Sequence, residues 1–174
     1  MAGKTLFYPK AEKALESRGF EYFDGDNGIK GKSAAHRSRP DYVAIKDDDC
    51  VIGEIKSPDE PPTSGSWRQI QPNDSNDFAK VRENVKRREK SGQLDPEVGG
   101  HEIIIRGQIP DYVAKIGKTY DLPANASERK LRGGYTVPSA QAANVEDALE
   151  NCGKKNCWKI DTGNGSVTYI FDLN

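Results

Sequence analysis

The chain is poor in the residues that most often announce a special chemistry. It has three cysteines and two histidines in 174 residues. Cys50, Cys152 and Cys157 make an odd set, and only the last two lie close, in CGKKNC. Zinc takes four ligands, and His36 and His101 are far off in sequence. Free thiols on a loop are therefore expected, not half of a zinc site. No apolar run approaches the roughly 20 residues that a membrane helix needs. The opening MAGKTLFYPKAEKALE has no apolar core of a secretory leader, so an intracellular, cytoplasmic protein without a membrane partner is expected. Neither sign of charge prevails. The 26 Lys and Arg against 27 Asp and Glu leave a net charge of −1, and the chain as a whole does not advertise nucleic-acid binding.

What is present is a polar chain of one ordinary domain's length, 34% apolar and 30% charged. Its charge is unevenly placed. KVRENVKRREK, Lys80 to Lys90, is strongly basic. KGKSAAHRSR, Lys30 to Arg39, carries positive side chains and no acid. RKLR, Arg129 to Arg132, is a third cluster. Acids gather in Asp47 to Asp49 and in SPDE, Ser57 to Glu60. Local basic patches bind phosphate even when the total is near zero, although a charge run is more commonly a solvated face.

Periodicity and turn residues suggest the element order. YPKAEKALESRGF reads as a helix, with Pro9 early in it, Ala11, Ala14 and Leu15 on one face, and Gly19 as its stop. FEYF, Phe20 to Phe23, is a short strand. DYVAI and CVIGEIK are two strands joined by the polar turn KDDD. SPDEPPTSGS is a loop. Asn76 to Lys90 is a long helix with a stripe of Phe78, Val81 and Val85, capped by Asn76 or Asp77. HEIIIRG, His101 to Gly107, reads as a buried strand. NVEDALENC reads as a helix, and WKI and VTYIFDL as closing strands around DTGNGS. The class expected is mixed α/β, a central mixed β-sheet flanked by helices.

The tetrapeptide PDYV occurs twice, at Pro40 to Val43 and at Pro110 to Val113. Each is followed by an acid-x-Lys: Glu54-Ile55-Lys56 after the first, Glu128-Arg129-Lys130 after the second. Context separates them. Asp41 opens an apolar strand, and Glu54 and Lys56 lie two apart on the next, so they share a face. A hairpin brings Asp41 near both. In the second copy, ASERKLRGG is polar and bordered by glycine. It does not read as a buried strand, and Asp111 and Glu128 are expected on the surface. Two converging carboxylates suit Mg²⁺, which is usually held by one or two carboxylates with water and phosphate. A lysine beside them can orient the attacking water or steady developing charge. The opposing reading of Glu54 and Lys56 is a same-face ion pair at a solvated strand end.

Pro40, Asp41, Glu54, Ile55 and Lys56 resemble the motif of the PD-(D/E)XK nuclease superfamily, which has the restriction-endonuclease-like fold. The family's common core is a helix, a strand meander carrying the motif, a helix and a further strand. The resemblance covers roughly residues 9–107 of a single domain spanning 1–174, with 108–174 an α/β extension of unclear role. It implies Mg²⁺-dependent (or Mn²⁺-dependent) cleavage of DNA. Asp41 and Glu54 would be metal ligands, the Ile55 carbonyl would complete the shell, and Lys56 would be the catalytic lysine. Many members add an acid from the first helix; Glu12 is preferred here over Glu16. Gln69 or Gln71 would stand where some branches place a glutamine, and Trp67, beside Arg68, would stack on a base or sit in the core. His36, Arg37 and Arg39 precede the motif strand and would meet a phosphate. Lys80, Lys86 and Arg87, with Arg82 and Arg88, would track a DNA backbone. The expected function is a restriction or repair endonuclease, acting as a homodimer, with a partner subunit or as a monomer that nicks one strand. The alternatives are a Holliday-junction resolvase, which the near-neutral charge disfavours, and a non-catalytic DNA-binding subunit of the same fold.

Overall fold

The computed structural model describes residues 2–25, 29, 39–59, 74–123, 125–154 and 157–173. It is mixed α/β, with a six-stranded sheet flanked by helices. The first helix, α1 (Ala2–Glu16), begins well before Tyr8, so Pro9 sits inside it rather than near its start. Pro9 is exposed, while Ala11, Ala14 and Leu15 are buried. The chain then reverses at Gly19, whose φ of +87° suits glycine.

Three strands follow as an antiparallel meander: β1 (Glu21–Asp24), β2 (Tyr42–Lys46) and β3 (Asp49–Ile55). The turn between β2 and β3 leaves only Asp47 and Asp48 unpaired, since Lys46 is opposite Asp49. Asp47 takes a φ of +51° there, a conformation that aspartate tolerates better than most residues.

Among the described residues, the crossover from β3 carries three α-helices and a π turn. Helix α2 (Asn76–Lys90) is capped by Ser75, not by Asn76 or Asp77: the Ser75 hydroxyl accepts from the Phe78 amide at 3.1 Å. Next come α3 (Pro96–Ile103), one π-helical turn (Ile104–Gln108) and α4 (Ile109–Ala114). This overturns the expected strand at HEIIIRG. Ile103, Ile104 and Ile105 are all buried, and an apolar run signals burial on every side without deciding between helix and strand. The helix start was legible in Asp95-Pro96-Glu97. The Asp95 carboxylate accepts from the Glu97 amide at 2.8 Å, and Pro96 occupies a first-turn position. The π turn precedes Pro110, which has no N–H to offer a regular ladder.

The strand beside β3 comes instead from β4 (Lys130–Pro138), which runs parallel to it. It lies beyond residue 107, in a stretch whose polar, glycine-rich beginning does not read as a buried strand. Two facts explain this. Its polar end stands at the rim of the sheet, where Arg132 pairs with Asp49 on one side and Asp172 on the other. Its glycines are where neighbouring rings approach. A Cβ on Gly133 would come within 2.4 Å of the Phe171 ring, and one on Gly134 within 2.6 Å of the Tyr42 hydroxyl.

Helix α5 (Ala142–Asn151) and strands β5 (Cys157–Asp161) and β6 (Ser166–Asp172) complete the chain. The order across the sheet is β1-β2-β3-β4-β6-β5. Alternation sorts the side chains into two layers. Tyr42, Ala44, Val51, Ile55 and Ile170 pack under α1. Val43, Cys50 and Ile52 face Tyr112 and Tyr120 on the other side, beside the larger cluster of Tyr135, Tyr169 and Phe171 with α2, α3 and α5. No helix among the described residues is long and apolar enough to cross a membrane.

Candidate active site at the ends of strands two and three

Asp41 immediately precedes β2, and its amide donates to the Gly53 carbonyl at 2.9 Å, extending the β2–β3 ladder by one step. Its side chain follows Val43 onto the sheet face opposite α1, and Glu54 follows Ile52 onto the same face. One step beyond the Tyr42–Gly53 pair, Asp41 stands opposite Glu54, close enough for the Glu54 charge to act on its carboxyl. The Asp41 Oδ2 also accepts from the Ile55 amide at 2.8 Å. Asp41 keeps some solvent contact as a residue, while its carboxyl is drawn inside. Burial, then the charge of Glu54, hold this carboxyl well above the usual carboxylate range; the Ile55 amide and Lys56 oppose them. Burial beside a like charge disfavours the ionised form of the Asp41 carboxyl.

Glu54 is almost fully buried. Its Oε2 accepts from the Tyr112 hydroxyl at 2.6 Å, and that hydroxyl in turn accepts from Gln108 Nε2 at 2.6 Å. Lys56 lies just past β3, and its amide donates to the Thr136 carbonyl at 3.0 Å. It lines a cavity of about 150 Å³ with Ser57, His101, Val137, Pro138 and Gln141. His101 is wholly buried. Its Nδ1 is 2.7 Å from the Tyr135 hydroxyl and its Nε2 is 3.0 Å from Gln141 Oε1. Burial, with the nearby Lys56 charge, depresses its pKa, so it is a neutral hydrogen-bonded link near neutral pH.

The donor set is one of carboxylate oxygens, which suit hard divalent cations. Among the described residues no group of three or more His, Cys, Asp or Glu is placed to hold a metal. Two adjoining carboxylates, crowded in a way that a cation would relieve, instead fit Mg²⁺, which takes few protein oxygens and keeps water. Burial raises the pKa of Cys50 to about 11, of Cys152 to about 12 and of Cys157 to about 11.

The other expected residues scatter. Glu12 is exposed on α1, the layer across the sheet from Glu54, although it and Asp41 both act on the Tyr22 hydroxyl. Arg39 donates to the Ile29 carbonyl at 3.0 Å. His36, Arg37, Trp67, Arg68, Gln69 and Gln71 lie outside the described residues. On α2 the basic cluster divides. Lys80, Lys86 and Arg87 are exposed. Arg82 is buried, its guanidinium 5.9 Å from the centre of the Phe78 ring. Arg88 grips the buried Glu102 through both oxygens, at 2.8 and 3.1 Å. The RKLR cluster is partly spent on structure too. Arg129 donates to the Asp47 and Asn125 carbonyls, and Arg132 bridges three strands beside Trp158.

The second PDYV is a helix, and Asp111 is buried, not on the surface as expected. It accepts from the Ser75 amide at 2.9 Å and pairs with Lys115 at 2.7 Å, and Lys115 also holds Asp74 at 2.9 Å. Glu128 is exposed, as expected. Sequence reasoning missed Tyr112 and Gln108 because it assigned no element to this stretch and expected the adjoining Asp111 on the surface.

No family model, curated protein or solved structure matches the chain.

Proposed function

We propose that the protein is a Mg²⁺-dependent DNA endonuclease of the PD-(D/E)XK kind. The observation that carries this reading is the side-by-side placement of the Asp41 and Glu54 carboxylates, with Lys56 two residues beyond Glu54. The element order supports it as well: a helix, a three-stranded meander bearing these residues, a helical crossover and a strand parallel to β3.

In this reading Asp41 and Glu54 would hold the ion, with the Ile55 carbonyl as a further oxygen. A Mg²⁺ ion held there would supply Lewis acidity, acidifying a coordinated water and offsetting charge on the scissile phosphate. The Ile55 amide fixes Asp41 through its Oδ2 oxygen. Lys56 supplies a fixed positive charge that orients the attacking water and steadies the phosphate as charge builds. Exposed Lys80, Lys86 and Arg87 contact the DNA backbone, which positions the substrate without reading its sequence.

The test is cleavage of supercoiled plasmid with Mg²⁺ by wild type, Asp41→Ala and Lys56→Ala. Nicked, linear or discretely cut DNA from wild type, lost in both variants, is expected. Equal cutting by all three would remove these residues from the chemistry. Intact DNA with wild type across plasmid, junction and mismatch substrates would overturn the nuclease reading.

A further inference from the structure

We propose that Tyr112 is the positioning residue for Glu54, and that Gln108 acts through it. The inference rests on the reading of Glu54 as a metal ligand. Three groups stand in line: Gln108 Nε2, the Tyr112 hydroxyl and Glu54 Oε2, at 2.6 Å for each step. The chemistry fixes the direction of both bonds. An amide N–H only donates, so the Tyr112 oxygen must accept from Gln108. The tyrosine proton is then free to go only to Glu54. A carboxylate only accepts, which makes this a charge-assisted bond of the short, strong class. Reversing the Gln108 amide would present a carbonyl to Tyr112, claim its proton, and set two lone-pair oxygens against each other at Glu54.

The brace is rigid. The Tyr112 ring is buried, and its backbone carbonyl accepts from the Tyr120 hydroxyl at 2.8 Å. The preceding residue, Asp111, ties α4 to the start of α2 through the Ser75 amide and to Lys115. The second PDYV thus serves in two ways. Its aspartate anchors the helix, and its tyrosine holds the acid of the first motif. With Oε2 held by Tyr112, the Glu54 carboxylate is fixed in orientation opposite Asp41. Partners of this sort orient ligands, and their loss typically weakens metal binding about 10- to 100-fold.

The test is calorimetric titration of the intact protein with Mn²⁺, on wild type, Tyr112→Phe, Gln108→Leu and the double variant. Tyr112→Phe keeps the ring and removes the hydroxyl. It is expected to weaken Mn²⁺ binding by roughly 10- to 100-fold. Gln108→Leu should weaken it less, and the double variant should match Tyr112→Phe alone, because Gln108 has no route to Glu54 except the tyrosine. In cleavage assays the Mg²⁺ concentration for half-maximal rate should rise, with the rate at saturating ion largely kept. A folded Tyr112→Phe that binds Mn²⁺ as wild type does would overturn the inference and leave the metal site standing. Additive effects of the two substitutions would also overturn the relay. Should Tyr112→Phe not fold, Gln108→Leu with wild-type Mn²⁺ affinity would count against it. If wild type itself binds no Mn²⁺, the carboxylate-pair reading fails and this inference falls with it.

Discussion

The Ile55 amide donates to the Asp41 side chain at 2.8 Å, across fourteen residues of chain. One hydrogen bond therefore fixes the acid of the first strand against the backbone that carries Glu54 and Lys56. It also explains why the crowded carboxyl is tolerated, since an amide donor offsets part of the repulsion from Glu54.

Burial, and then that repulsion, make Asp41 costly to the ion-free protein. Its pKa is raised in the folded state, above the roughly 3.9 of an unfolded aspartate. The folded protein therefore binds the extra proton, and stability is lost as pH rises from the unfolded value through the folded one. Asp41→Asn removes this loss and keeps an oxygen for the Ile55 amide. Thermal melts without metal should show the variant gaining on wild type as pH rises from about 4, by about 2–4 °C for each kcal/mol relieved. Added Mg²⁺ should raise the melting point of wild type alone. A gap that closes with rising pH would contradict the placement of the proton.

Neighbouring arginines on α2 should behave differently. Arg87 is exposed, whereas Arg88 satisfies both oxygens of the wholly buried Glu102. Arg87→Ala should leave denaturant stability unchanged and lower the salt slope of DNA binding by about 0.9 for each phosphate it no longer neutralises. Arg88→Ala should cost about 3–5 kcal/mol, because a buried carboxylate loses its main partner. Equal stability of the two variants in urea would show that Glu102 is satisfied without Arg88.

Lys115 joins Asp74 and Asp111, and all three are buried. Lys115→Ala leaves two acids without their shared cation and should destabilise by about 3–5 kcal/mol. Adding Asp111→Asn should recover part of the loss. Chemical denaturation of both variants checks this, and no recovery would mean the pair does not repel.

Gly53 lies under the buried ring of Tyr42, and a Cβ there would stand 2.0 Å from the ring. Gly53→Ala should cost about 1–3 kcal/mol or more through displaced packing. Tyr42→Leu in the same chain should relieve part of it. If Gly53→Ala matches wild type in urea, the ring moves freely and the sheet is less tightly packed there than its burial implies.

The sequence by itself determined the parts whose signals are local and mutually consistent. The meander of β1, β2 and β3, the long basic helix, the closing strands and the shared face of Glu54 and Lys56 follow from period-two and helical patterns. Those patterns report which side of an element is buried, which is what folding acts on. Tertiary structure alone decided the rest. The same four residues, PDYV, lead into a strand at Tyr42 and form a helix around Asp111. A four-residue preference is weak beside the burial and pairing of its surroundings. HEIIIRG is buried on nearly all sides, so its pattern carried no period to read. The strand β4 needed glycine where rings from Phe171 and Tyr42 approach, and those rings come from 38 residues after Gly133 and 92 residues before Gly134. The brace from Tyr112 to Glu54 spans 58 residues. Contacts of that range are made by the fold, and no local pattern in the chain records them.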